Sequence, residues 1–113
     1  MFTVSALLLF ILVMLGGSWM MMQLVNGRPV PPLVKHGHGV AAAVGLALLV
    51  KAAVDTRSMT LFLSAAILLS GFLGGLLLFG FVFRGRRTPG ALVVMHASLG
   101  TLGVLLLAYA AVG

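Results

Sequence analysis

Three histidines are the side chains of this chain best suited to chemistry, because imidazole nitrogens bind transition metals and the sequence contains no cysteine. His38 and His96 lie 58 residues apart, and a shift of 58 residues superposes identical residues at 14 of 55 aligned positions without a gap. The matches include infrequent types in the same order: Gly16, Gly17, Gly27, Arg28, Pro31 and Gly45 pair with Gly74, Gly75, Gly85, Arg86, Pro89 and Gly103. The sequence therefore predicts one unit used twice, with His38 and His96 as equivalent residues.

Four apolar stretches must position these histidines. They run approximately over residues 3–25, 33–54, 59–83 and 91–112, and short segments rich in glycine, proline and charged residues separate them. About 20 apolar residues in a helix span a bilayer core of roughly 30 Å, and lipid favours helices because it offers backbone groups no partners. We therefore predict an all-α integral membrane protein. Residues 1–113 form one four-transmembrane-helix bundle, built from two tandem two-helix repeats at about 1–55 and 59–113.

Composition and charge agree with a membrane location. Hydrophobic residues make up 62% of the chain, charged residues 7%, and the mean hydropathy is +1.27. The net charge of +6 does not indicate a nucleic-acid partner, because the basic residues lie at the connections between apolar stretches, where they contact lipid headgroups. The side of the first and third connections has more of them than the opposite side: Arg28, Lys35, Arg84, Arg86 and Arg87 against Lys51 and Arg57. This excess predicts that these connections are cytoplasmic and that both termini lie outside, in a bacterial inner membrane, with the first stretch as a spanning helix rather than a signal peptide.

The repeat places the paired histidines at one depth. His38 and His96 each lie seven residues past the equivalent prolines Pro31 and Pro89, about 10 Å along the helix from the connection. Two-helix repeats insert in the same orientation, so the second and fourth helices run in the same direction. We therefore predict that the two imidazoles are axial ligands of one heme b, between these helices and near the cytoplasmic side.

Small residues accompany both histidines. Gly45 falls on the helical face of His38, and Gly100 and Gly103 fall on the face of His96. The missing side chains would admit a flat macrocycle, although such stripes also let membrane helices pack closely without any ligand. A ligating imidazole donates its second nitrogen to a backbone carbonyl or a hydroxyl, for which Thr101 and Ser98 are candidates near His96. Both roles of the glycines, cofactor binding and helix packing, stay open at this point.

Arg28, Arg86 and His36 complete the candidate site. The two arginines are equivalent in the repeat and lie where heme propionates would emerge, where a guanidinium pairs well with a carboxylate. An alternative role for them is to orient the chain in the membrane. His36 matches Val94 and points about 200° away from His38 on a helix. It therefore has a secondary role at most: a bond to a propionate, a headgroup contact, or none.

The His38 and His96 pair, with Gly45, Gly100 and Gly103 on a four-helix chain, resembles the small four-helix transmembrane b-type cytochromes. The resemblance implies that histidines of the bundle bind heme and that electrons pass between quinols, soluble reductants and acceptors. Members that move electrons across the bilayer usually have two hemes and four ligands, whereas this chain has three histidines, none of them in the first or third stretch. One bis-histidine heme is thus expected, with no open coordination position, which favours electron transfer over oxygen activation.

A chain with one heme and little soluble surface is expected to be a subunit of a larger membrane redox complex rather than an enzyme alone. Its partners would be lipid and either other membrane subunits or further copies of itself, with quinone as a candidate that has no residue signature. Two alternatives remain: a structural or assembly subunit without a cofactor, and a copper site formed by His36, His38 and residues Met20 to Met22. A small multidrug exporter is disfavoured because the first stretch has no acidic residue.

Overall fold

The computed structural model describes residues 2–113, apart from the side chains of residues 82 and 83. Four helices include most of them: α1 (Phe2–Val25), α2 (Pro32–Thr56), α3 (Met59–Phe83) and α4 (Gly90–Val112). Each helix includes a stretch long and apolar enough to cross a membrane, and the described residues contain no strand. The predicted fold class, an all-helical membrane bundle, is confirmed, and the predicted helix ends differ from the observed ones by two residues at most.

The turns that follow α1 and α3 have the same design. Gly27 and Gly85 have φ values of +67° and +63°, a left-handed conformation that glycine adopts without steric cost and that ends helices. The next backbone N–H in each turn reaches back to a helix carbonyl: Arg28 donates to Gln23 at 2.8 Å and Arg86 to Phe81 at 3.0 Å. These bonds join equivalent residues in the two halves of the chain, so the repeat seen in the sequence is also a repeat of local structure.

The starts of α2 and α4 also match. Pro31 and Pro89 precede the two helices with φ values of −59° and −62°, and each carbonyl accepts bonds from the N–H groups of the first turn. Proline suits this position because its fixed φ is compatible with the helix start and its missing N–H would have no helical partner. Residues 26–31 and 84–89, which form the first and third connections, therefore lie at the same end of the bundle. We call this the arginine-rich end.

The bundle is closed by contacts between neighbouring helices. α1 packs on α2 and α4, and α3 packs on the same two helices. Among the described residues, α2 and α4 make no close backbone contact with each other, so they stand diagonally across the bundle. The space between them is thus bounded by α1 on one side and α3 on the other.

The packed core occupies the half of the bundle away from the arginine-rich end. It consists of small and aliphatic side chains and one phenylalanine: Ala6, Phe10, Leu46, Leu49, Ala52, Ala53, Leu61, Ala65, Leu68, Val104 and Leu107. Large apolar side chains, Trp19 among them, are exposed on the outer faces of the helices, as expected where lipid is the solvent. The other half of the bundle is not filled in this way, and it contains the paired histidines.

Candidate functional site

A cavity of about 420 Å³ lies between the four helices in the half nearer the arginine-rich end. Its lining is mostly apolar and follows the repeat. Equivalent residues face it from both hairpins: Phe10 with Leu68, Val13 with Gly71, Met14 with Phe72, Gly17 with Gly75, Met21 with Phe79, His38 with His96, and Ala42 with Gly100. The cavity is therefore lined by equivalent positions of the two hairpins.

The structure brings His38 and His96 together across this cavity. Their ring centroids are 6.2 Å apart, and the ring planes are inclined by 70°. An imidazole nitrogen binds a first-row metal at about 2 Å, so two rings on opposite sides of one metal ion have centroids about 6 Å apart. The observed spacing matches this value, and it also fits an edge-to-face contact between the two rings.

Glycines of the neighbouring helix support both rings. A Cβ placed on Gly17 would lie 3.0 Å from Cε1 of His38, and one placed on Gly75 would lie 2.9 Å from Cε1 of His96. Both distances are shorter than ordinary carbon contacts, so each imidazole occupies the place that a side chain would take. The sequence indicated these glycines only by their match in the repeat and their depth near the histidines, not by their contact with the rings.

The second ring nitrogen of His96 is bound within its own hairpin. Nδ1 lies 2.7 Å from the backbone carbonyl oxygen of Gly71 on α3. Because a carbonyl only accepts, Nδ1 donates the proton of this bond, and in the neutral imidazole Nε2 then has a free lone pair. Of the acceptors expected for this nitrogen, a backbone carbonyl is the one observed. The two candidate hydroxyls do not take this role: that of Thr101 donates to the carbonyl of Ala97 at 2.8 Å, and Ser98 is exposed.

His38 has a weaker version of the same support. Its Nδ1 is buried and has no partner within hydrogen-bond geometry. The backbone group that interacts with this ring is that of Val13, which is the equivalent of Gly71. The interaction between the Val13 backbone and the His38 ring therefore falls short of a hydrogen bond. The first hairpin presents its imidazole at the same place with one buried nitrogen less well satisfied.

The glycines that share a face with the histidines have two different environments. Gly100 lines the cavity, and a Cβ there would meet no atom within 4 Å. Gly45 and Gly103 lie further from the arginine-rich end and do not line the cavity. A Cβ on Gly45 would lie 2.9 Å from the Phe10 ring, and one on Gly103 would lie 2.5 Å from Leu68. These two glycines therefore admit side chains of adjacent helices.

The polar residues expected around the site are distributed unevenly. Arg28 and Arg86 are exposed on the connections and do not line the cavity, and His36 is likewise exposed outside it. Lys35, half-buried on the first turn of α2, and Thr88, half-buried just before α4, do line it. In the sequence Lys35 belongs with the basic residues of this end, and no sequence signal marks Thr88.

The donor set of the cavity is limited. Within residues 2–113 no cluster of three or more histidine, cysteine, aspartate or glutamate side chains could hold a metal ion. Two imidazoles therefore leave most of a coordination sphere unfilled. A metal held here would take its other ligands from a macrocycle such as a porphyrin, or from the thioethers of Met14, Met20 and Met21 in the lining.

Comparison of this chain with protein-family models, with curated proteins and with solved structures returned no match. The fold and the geometry of the cavity are therefore what indicate the function of this chain.

Proposed function

We propose that this chain is an electron-transfer protein of the membrane that binds one heme b between His38 and His96. The observation that carries the proposal is the imidazole pair: two equivalent rings with centroids 6.2 Å apart, on diagonal helices that face one apolar cavity. The bond from Nδ1 of His96 to the Gly71 carbonyl supports it, because ligating histidines commonly donate their second nitrogen in this way.

The remaining residues of the site orient the ligands and exclude water. Gly17 and Gly75 leave room for the two rings, and Gly100 leaves open space in the cavity wall between the helices. The apolar lining, with Phe10 and Leu68 on the side of the packed core, keeps the interior dry. A bis-histidine heme, when bound, supplies a one-electron redox couple without an open coordination position.

The position of the cavity favours a role within a larger complex. The cavity lies in one half of the bundle, whereas the other half is a packed core. A single redox group near one face does not connect the two sides of a membrane, so a second centre would belong to a partner subunit, a second copy or a bound quinone. Because of the excess of basic residues, we propose that the arginine-rich end faces the cytoplasm and that both termini lie outside, in a bacterial inner membrane.

The test is heme titration of the full chain in lipid nanodiscs, followed by reduced-minus-oxidised absorption spectra. We expect the narrow bands of a six-coordinate b heme, and we expect that His38→Ala and His96→Ala each abolish them. His36→Ala is the matched control, because His36 is exposed outside the cavity, and it should leave the spectrum unchanged. A chain that stays colourless, or a six-coordinate spectrum that survives His96→Ala, would refute the proposal.

Copper binding is a second candidate function, favoured by one observation. The thioethers of Met20 and Met21 line the same cavity as both paired histidines, and soft sulfur with imidazole suits copper. The predicted copper set included His36 and Met22 as well, but both are exposed and outside the lining. Copper analysis of the chain purified without added heme tests this function, and Met21→Leu should then reduce the copper content but not heme binding.

A structural or assembly subunit without a cofactor is the third candidate. It is favoured by Gly45 and Gly103, which pack against Phe10 and Leu68 and need no ligand to account for them. Under this function the chain binds neither heme nor copper in the two assays above, and His38→Ala and His96→Ala change only its stability.

A further inference from the structure

The cavity lining differs between the two hairpins near the arginine-rich end. Lys35 and Thr88 line it near the arginine-rich end, yet their equivalents, Val93 and Val30, are apolar and line it as well. Near the arginine-rich end each hairpin thus contributes a polar side chain at a different position of the repeat, in addition to Ser18 and Thr101 elsewhere in the lining. The part of the lining nearest the arginine-rich end therefore contains a positively charged side chain, Lys35 on α2, and a hydroxyl, that of Thr88 just before α4.

Lys35 lies close to the imidazole of His38 in the helix. It precedes His38 by three residues, so the two side chains share a helical face and Lys35 lies one turn nearer the arginine-rich end. Thr88 lies just before Pro89, at the start of α4. Both side chains are half-buried, so neither is simply an exposed group in water.

Lys35 has no counter-charge within the chain. The single acidic residue of the sequence is Asp55, about 30 Å away along α2, and its carboxylate is paired with Lys51 at 2.6 Å. A half-buried lysine side chain without an acidic partner in the chain can pair with an anion supplied from outside. The cavity that Lys35 lines is where that anion would be bound.

We propose that Lys35 and Thr88 bind a carboxylate of the cavity's occupant, which under the proposed function is a propionate of heme b. This inference depends on the proposed function and assigns the acidic edge of the cofactor to these two residues. Arg28 and Arg86, the partners expected from the sequence, are exposed on the connections and outside the lining. A charge-assisted bond from Lys35 fixes which way the cofactor enters, with its acidic edge toward the arginine-rich end.

The experiment compares heme with heme dimethyl ester, which lacks both carboxylates, as ligands of the full chain in phosphatidylcholine nanodiscs. We expect Lys35→Met to raise the dissociation constant for heme about tenfold and to leave that for the ester unchanged. Lys35→Arg should restore most of the affinity for heme. Thr88→Val, which installs the residue type of the equivalent Val30, should have a smaller effect of about threefold on heme alone.

Arg28→Gln and Arg86→Gln are matched controls, because each removes one positive charge at the same end, and they should leave both affinities within twofold. Equal losses for heme and ester in Lys35→Met would overturn the inference, as would no loss or an equal loss in Arg28→Gln. Anionic lipid headgroups are another source of the anion. If phosphatidylglycerol nanodiscs abolish the difference between wild type and Lys35→Met, a headgroup binds there and the inference is wrong. Failure of the wild type to bind either ligand would instead refute the proposed function, and this inference with it.

Discussion

The two hairpins, α1 with α2 and α3 with α4, differ most in how tightly they hold their histidines. Nδ1 of His96 lies 2.7 Å from the carbonyl oxygen of Gly71, whereas Nδ1 of His38 is buried without a partner in hydrogen-bond geometry. The backbone group that His38 approaches belongs to Val13, the equivalent of Gly71. At equivalent positions, the imidazole of His96 is therefore held by a hydrogen bond and that of His38 is not.

The difference between Val13 and Gly71 explains this result. A Cβ on Gly71 would lie 3.3 Å from Cβ of Leu99 and 3.5 Å from the backbone nitrogen of Gly100, so glycine is what lets α3 approach α4 at this level. The valine of the first hairpin has a branched side chain at the same position. We expect this side chain to hold α1 and α2 further apart at this level, so that the carbonyl of Val13 does not form a hydrogen bond with the ring.

A second bond adds to the tighter packing of the second hairpin. The hydroxyl of Ser64 on α3 is fully buried and donates to the carbonyl of Gly103 on α4 at 2.8 Å. Its equivalent in the first hairpin is Ala6, which is equally buried and makes no such bond. Two equivalent hairpins can thus keep the position of a histidine while single differences on the adjacent helix change how firmly it is held.

Gly71→Val should have the largest effect on the difference between the two hairpins, because it gives the second hairpin the residue of the first. The new side chain would meet Leu99 and the Gly100 backbone, and overpacking of this kind costs about 1 to 3 kcal/mol of unfolding free energy. Moving α3 away from α4 would also lengthen the bond between His96 and the residue 71 carbonyl. Unfolding in mixed detergent micelles measures the loss.

Gly80→Val is the control for this prediction. It makes the same change in the same helix, where a Cβ would meet nothing within 4 Å. It should cost much less than Gly71→Val. Equal stability of the two variants would mean that close approach of α3 and α4 at Gly71 does not hold the second hairpin together.

Gly75→Ala and Gly17→Ala should separate the two histidines by rigidity. The new methyl group would lie 2.9 Å from Cε1 of His96 in one variant and 3.0 Å from Cε1 of His38 in the other. The His96 ring is tied to Gly71 and yields less, so we expect Gly75→Ala to weaken heme binding about tenfold or more. The freer His38 ring can shift, so Gly17→Ala should cause a smaller loss, measured by the same heme titration.

Gly74→Ala provides the matching control, since its Cβ would lie 4.0 Å from Cβ of His96, an ordinary contact. Its heme affinity should equal that of the wild type. If Gly17→Ala weakens binding as much as Gly75→Ala does, the two imidazoles are equally constrained and the contrast drawn from Val13 and Gly71 is wrong.

Sequence alone predicts the elements of this molecule better than their contacts. The length of the apolar stretches and the prolines before α2 and α4 determine four helices, and the shift of 58 residues places His38 and His96 at equal depth. The contacts of Gly17 and Gly75 with the rings were not predictable, because they depend on how far each helix is rotated about its axis. Periodicity within one helix does not contain that rotation.

Helix periodicity likewise does not indicate which glycines of the small-residue faces line the cavity. Gly45, Gly100 and Gly103 share faces with the histidines, but each stripe is longer than the cavity, so only Gly100 reaches its wall. The other two admit Phe10 and Leu68. Similarly, the repeat and the chemistry of guanidinium groups favour Arg28 and Arg86 over Lys35, because nothing in the sequence indicates which basic side chain at this end turns inward.

Ser64→Ala should have the smallest effect on the stability of the second hairpin. It gives α3 the residue found at the equivalent position of α1. The variant loses one hydroxyl bond between helices, and such bonds contribute about 0.6 kcal/mol in membrane proteins. The carbonyl of Gly103 remains available to its own helix, so no acceptor is stranded. Ser70→Ala removes a hydroxyl that is exposed and bonded at 2.9 Å to Ala66 within α3, and it should leave stability unchanged. A loss for Ser64→Ala that does not exceed that of Ser70→Ala would show that the buried bond does not tighten the second hairpin, and the rigidity of His96 would then depend on Gly71 alone.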